Sequence, residues 1–356
     1  ILSISFFNLL LSIFRAEQKP STYSLFSLIV GVGTYVLGLL LIWKFKLSII
    51  SFLWSLIFLQ AIAIPILFNQ LHLKEKSINF VWKIKPFISY GVPASGIAIM
   101  TMLLSNLDIF MISRMMSIES AGIYAPVFQL SEKTIMFIAS LMILAITPIN
   151  FESWEKLSLD ENRLLLSQTC SFYLLLSLPV AIFIIFFSEK ITMSMFHPDF
   201  WSGSELMPFI AFGAFCMGLV HRYSIILSIY KKNSLLLILC VFAVVFKFVF
   251  NYIYIDIIGL WSPAISTSLS FLFLLVLCIF ASKRFFSWQF PIIFFIKAIV
   301  SSVVAASVVS FTFSANDPTL LNLCLSVISF IFLYFSQIFL FERNSEMFKP
   351  LKINIK

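Results

Sequence analysis

The chain has 356 residues, 61% of them hydrophobic and 11% charged, with a formal net charge of +8 and a mean hydropathy of +1.04. Soluble domains carry about 25% charged residues, so this composition excludes a soluble globular domain and points to a polytopic membrane protein. The excess of Lys and Arg does not mark a nucleic-acid binder, because these residues sit in short loops between apolar runs, where they set membrane orientation.

In chain order the apolar runs are 1–14, 23–43, 47–68, 87–112, 124–148, 169–188, 207–229, 235–255, 261–282, 291–313 and 320–341. They predict an all-α protein of about 11 transmembrane helices. Every run after the first is about 20 residues or longer, enough to cross a bilayer as a helix. Residues 1–14 span only about 21 Å, against a hydrocarbon core of roughly 30 Å. No basic region precedes them as in a signal peptide, so this run is expected to be part of a span in an N-terminally truncated chain.

The loops alternate in charge. Those at 15–22, 69–86, 149–168, 230–234 and 283–290, with the tail 342–356, hold sixteen Lys and Arg, whereas the opposite set holds four. The positive-inside rule therefore predicts a cytoplasmic C-terminus and a cytoplasmic location for the basic loops. The two longest loops, 69–86 and 149–168, belong to that set, and neither is long enough for a catalytic domain. All five cysteines fall inside apolar runs without metal-ligand spacing, so they read as packing residues and not as a disulfide or zinc framework. No P-loop, HExxH or GxSxG pattern occurs. The chain is accordingly expected not to be an enzyme and to need no cofactor or metal.

Function is sought in the charges that the apolar runs retain, because an ionisable group inside a membrane costs several kcal/mol, roughly 2.5–3.5 on insertion scales, unless it faces protein or water. On run 87–112, Thr101, Ser105 and Asp108 recur at i, i+4 and i+7 and predict one polar face, with Gly91, Pro93 and Gly96 loosening the first turns. Asp108 either lines a cavity or pairs with Arg114 or Lys133 to hold two helices together. Run 124–148 carries Glu132 and Lys133, whose adjacency turns them about 100° apart, so that they are not expected to form an ideal pair on one helix. Run 207–229 carries His221 and Arg222; the latter stands one or two turns from the cytoplasmic end and either faces a cavity or snorkels to water. Run 235–255 has Lys247, Asn251 and Tyr254 on one stripe, and Lys247 is deep enough to need a partner or a cavity. Lys297 lies near a cytoplasmic end, where snorkelling suffices. Lys133, Arg222 and Lys247 against Asp108 and Glu132 leave a cavity charge of +1, suited to an anionic, sugar-bearing ligand.

The segments YGVPASG at 90–96 and LSNLDIFMISRMMSIESAGIYAPVFQLSEK at 104–133, followed by TP at 147–148, resemble the start of the second lobe of Wzx-type polysaccharide flippases. These belong to the multidrug/oligosaccharidyl-lipid/polysaccharide exporter superfamily. FRAEQKP at 14–20 and IIGLWSPAISTSLS at 257–270 resemble further stretches of the same proteins. The resemblance implies a two-lobed bundle: a first-lobe remnant at 1–86, a six-helix second lobe at 87–284, two additional helices at 285–341 and a cytoplasmic tail at 342–356. It also implies export of an undecaprenyl-pyrophosphate-linked oligosaccharide repeat unit across a bacterial inner membrane by alternating access. Asp108, Glu132, Lys133, Arg222, Lys247 and Asn251 would be the substrate-binding or cavity residues. Partners would be the lipid-linked oligosaccharide, membrane lipids and the polysaccharide polymerase machinery, with no nucleic acid. The alternatives are a cation-coupled multidrug antiporter, which calls for an acidic cavity, and a membrane polysaccharide polymerase, which calls for a long outer loop.

Overall fold

The computed structural model describes residues 2–16, 20–46, 48, 50–71, 84–313 and 318–342. Among them are eleven α-helices and no strand: α1 Leu2–Ala16, α2 Pro20–Phe45, α3 Ser51–Gln70, α4 Ile84–Met115, α5 Ile118–Lys156, α6 Leu159–Met195, α7 Met207–Ile229, α8 Asn233–Ile258, α9 Trp261–Lys283, α10 Ile292–Thr312 and α11 Leu320–Glu342. Ten of these are long and apolar enough to cross a membrane, and α1 is a shorter apolar helix. The chain is thus an all-α, multi-pass membrane protein.

The helix order agrees with the apolar runs, but α5 and α6 do not end where hydropathy falls. At 39 and 37 residues they are each about 55–60 Å long at 1.5 Å per residue, well beyond a bilayer core. The stretch 149–168, expected to be a loop, is therefore helical apart from Leu157 and Ser158. A reciprocal capping box explains the restart: Ser158 Oγ accepts from the Glu161 backbone N–H at 3.4 Å, and Glu161 Oε2 accepts from the Ser158 backbone N–H at 2.8 Å. At the other end of α5, Ser117 is extended and its side chain accepts from the Ser120 N–H at 3.0 Å. The stretch 189–206 is likewise structured, by the end of α6 and a 3-10 segment at Pro198–Leu206. Helix α4 runs unbroken through Pro93, although the sequence suggested loosened first turns. The one departure from helical geometry inside α6 falls at Phe187, with φ −113° and ψ 17°.

Contacts divide the chain into two compact units, Ile1–Val81 and Trp82–Lys356. In the first, α1, α2 and α3 enclose a small core around Phe7, Leu10, Phe14 and Leu67. In the second, α7 is the helix around which the others are arranged: 78% of its most apolar window is buried, against 22% for α5. It packs on α9, α5 and α6, while α8 bridges α4 and α9. Helix α10 lies on α6, and α11 on α10 and α6.

Close approach to α7 depends on missing side chains. A Cβ on Gly213 would lie 3.0 Å from the Ser268 backbone, and one on Gly218 would lie 1.9 Å from the Tyr173 hydroxyl. That hydroxyl donates to the Phe215 carbonyl at 2.9 Å, which locks α6 to α7.

Candidate functional site

Polar groups in the second unit assemble into one closed cluster and two open pockets. The cluster centres on Asp108 of α4. Its Oδ2 lies 2.7 Å from Lys247 Nζ and accepts from Thr267 Oγ1 at 2.7 Å and Tyr124 OH at 3.1 Å. Its Oδ1 accepts from Asn251 Nδ2 at 2.9 Å. Asn251 Oδ1 in turn accepts from Ser262 at 3.1 Å, and Lys247 Nζ also donates to the Leu104 carbonyl at 2.5 Å. The ammonium stands 5.6 Å from the centre of the Phe271 ring.

The partner of Asp108 is therefore Lys247, and not Arg114 or Lys133 as its neighbours in the sequence suggested. Both side chains are at most 1% exposed. Removing two charges from water is repaid only when the pair is close and its remaining valences are met. Donors from α5, α8 and α9 converge on a carboxylate of α4, so the pair ties four helices together. The stripe on α8 is polar at Lys247 and Asn251 but ends there, because Tyr254 is exposed.

The first open pocket, about 370 Å³, lies between α4, α5 and α7 and is lined by Thr101, Ser105, Asn106, Glu132, Lys133 and His221 among others. Ser105 donates to Glu132 Oε1 at 2.7 Å, and Lys133 Nζ lies 2.6 Å from Glu132 Oε2. The two neighbours thus do meet, though not as an ideal pair, and Glu132 also finds a partner on another helix. They manage it because the long Lys133 side chain folds back from a half-exposed position, giving an ion contact without hydrogen-bond alignment. The polar face read on α4 is also split: Thr101 and Ser105 border this pocket, whereas Asp108 is sealed in the cluster.

The second pocket, about 240 Å³, adjoins the same three helices and shares His221. It is lined by Tyr90, Thr147, Asn150, Arg222, Ser224 and Ser228, among others. Arg222 does not snorkel; it is 6% exposed, and its Nε has no partner among the described residues. Asn150 was not singled out from sequence; it is 5% exposed, and its Oδ1 is also unpartnered. An Asn two residues past the Thr-Pro of α5 is at most a weak signal, since nothing in its spacing ties it to Arg222 of α7.

Elsewhere, Lys297 of α10 reaches the Phe341 carbonyl at 3.4 Å, at the end of α11. An apolar groove of about 470 Å³ lies between α5, α6 and α11. Within the first unit, a pocket of about 410 Å³ is bordered by Asn8, Ser12, Tyr23, Ser27 and Gln60. No run of residues 1–70 carries an intramembrane charge to announce it. Four cysteines are buried and Cys324 is exposed. No group of three His, Cys, Asp or Glu suited to a metal occurs among the described residues.

Comparison with known proteins bears on this arrangement at two levels. The chain is similar in structure to the lipid II flippase MurJ in its inward closed conformation, with a TM-score of 0.67 over 95% of this chain and 72% of that one. Sequence identity is 16%, so the likeness is one of fold. No curated protein matches by sequence. A family model described as "Polysaccharide biosynthesis protein" matches residues 2–205, more than half the chain. With its flippase-like helical fold, the chain belongs to that polysaccharide biosynthesis protein family.

Proposed function

We propose that this protein flips an undecaprenyl-pyrophosphate-linked oligosaccharide repeat unit across the bacterial inner membrane, for O-antigen or capsule synthesis. The observation that carries this reading is the pair of polar pockets on α4, α5 and α7, which share His221 and are set into a bundle of otherwise apolar helices. A membrane-spanning surface has no reason to keep hydroxyls, amides and an unpaired guanidinium unless something polar passes them. Membership of a polysaccharide biosynthesis family and a fold like that of a lipid-linked substrate flippase support the same choice.

In this reading the bundle alternates between inward- and outward-open states. The polar pockets receive the head group while the lipid tail stays in the bilayer. Asp108, Lys247 and Asn251 act as the rigid frame of that surface, and Glu132, Lys133 and Arg222 as its substrate-facing groups. The basic loops and the C-terminus are cytoplasmic, and the polymerase machinery receives the product.

Complementation tests the proposal. The gene is expressed in a strain lacking its own oligosaccharide flippase but making a matching repeat unit, and surface polysaccharide is assayed on gels. Restored polysaccharide is the expected result. Drug resistance in place of polysaccharide would favour the antiporter reading and overturn this one.

A further inference from the structure

The five intramembrane charges Asp108, Glu132, Lys133, Arg222 and Lys247 do not share their +1 excess evenly. Asp108 is paired with Lys247 in the closed cluster, and Glu132 with Lys133 at the first pocket. What remains is Arg222, which makes no hydrogen bond or ion pair with any described residue although it is more than nine-tenths buried. A buried, uncompensated guanidinium is strongly unfavourable, and native structures keep one where an anion or another partner completes it. Among the described residues, no Asp or Glu lines the pocket around it. What does line it is a set of groups able to donate to an anion: the Thr147 and Ser228 hydroxyls, the phenol of Tyr90 and the Nδ2 amide of Asn150, beside a Ser224 hydroxyl that donates to the His221 carbonyl at 3.4 Å.

We infer that the Arg222 pocket is an anion subsite that binds a phosphate or diphosphate ester, with the Arg222 guanidinium as its charged fork and Asn150 and the neighbouring hydroxyls as its donors. Guanidinium suits this ligand because its planar N–H pairs match two phosphate oxygens at once. Lys247, the deeper and at first sight more suggestive cation, is excluded from this role by its own carboxylate.

The location fits as well. Tyr90 lies near the start of α4, Asn150 towards the end of α5 and Ser228 at the end of α7, so the pocket lies at one end of the bundle. The basic loops flank that same end, which the charge rule makes cytoplasmic. A lipid-linked diphosphate made in the cytoplasm would meet this pocket first. The first pocket, deeper along α4 and α5 and sharing His221 as a lining residue, would then receive its sugars.

The site rests on geometry alone, while the assignment of its phosphate to a sugar-carrying isoprenoid rests on the flipping proposal. The phosphate group has a second potential source, the head group of an anionic phospholipid. The full chain, purified in detergent, is titrated with inorganic pyrophosphate, farnesyl diphosphate and phosphatidylglycerol, and thermal unfolding is followed. Both diphosphates are expected to raise the midpoint. In Arg222→Gln their affinity is expected to fall at least tenfold, in Asn150→Ala severalfold, and Arg222→Lys should lie between wild type and Arg222→Gln.

Without ligand, Arg222→Gln should unfold no earlier than wild type, because it removes an uncompensated buried charge and no hydrogen bond or ion pair with a described residue. An Arg222-dependent response to phosphatidylglycerol alone would uphold the site and assign its phosphate to bilayer lipid. Equal diphosphate binding by wild type and Arg222→Gln, or a variant that unfolds earlier and binds unchanged, would overturn the inference. Failed complementation beside intact, Arg222-dependent binding would remove the flipping proposal and leave the site standing.

Discussion

Asp108 and Lys247 are residues whose type was legible in the sequence and whose relation was not. Their depth in apolar runs demanded partners, yet they stand on α4 and α8, separated by the whole of α5 to α7. Burial makes their loss asymmetric. Lys247→Met is expected to cost about 3–5 kcal/mol, because it leaves a charged carboxylate without its counter-ion. The double variant Asp108→Asn with Lys247→Met should recover much of that, since the amide still offers a partner to Thr267 and Asn251. Thermal unfolding of the four proteins of the cycle measures this, and a coupling below about 0.5 kcal/mol would show that the two side chains act independently. Lys247→Glu, which sets two carboxylates in a dry cluster, should abolish folded protein and not transport alone. The residue scale therefore separates two situations that intramembrane charge by itself merges: Lys247 is paired with Asp108 across helices, and Arg222 has no partner among the described residues.

At the scale of the element, helix identity followed from hydropathy but helix ends did not. The runs at 124–148 and 169–188 locate α5 and α6, yet both helices continue into charged sequence where no apolar pattern could mark them. The Ser-Leu-Asp-Glu at 158–161 does carry the capping-box spacing, and it was the available signal for the restart at Leu159. Ser158→Ala should destabilise the first turn of α6 by about 0.5–2 kcal/mol, seen as faster amide hydrogen exchange confined to residues near Leu159. Uniform acceleration along α6 would contradict a local cap. Packing between elements sets a stricter limit at Gly218, where the nearest atom to an added methyl is a buried, hydrogen-bonded phenol. Gly218→Ala is expected to cost about 1–3 kcal/mol through overpacking, and an unchanged unfolding midpoint would mean that α6 and α7 can separate freely.

At the scale of the whole molecule, orientation rests on charge alone. In a Cys324→Ser background, a membrane-impermeant maleimide applied to spheroplasts should label Asp199→Cys, in the exposed segment between α6 and α7. Lys283→Cys, at the exposed end of α9, should be labelled only after the membrane is permeabilised. The reverse pattern would invert the orientation, and with it the side from which the Arg222 pocket is loaded.

The sequence by itself determined class and layout. Mean hydropathy, run length and loop charge are properties of contiguous residues, and a bilayer reads them one segment at a time. Only the tertiary structure decided which charges neutralise one another. Pairing inside a low-dielectric interior depends on distances of a few ångströms between helices far apart in sequence, and a one-dimensional pattern holds no such distances. Asp108 had two basic candidates in the nearby sequence, Arg114 and Lys133, and its carboxylate meets Lys247 and neither of them. The same packing that closed that cluster left Arg222 without a partner among the described residues, and that contrast turned an even-looking set of buried charges into a frame and a candidate site.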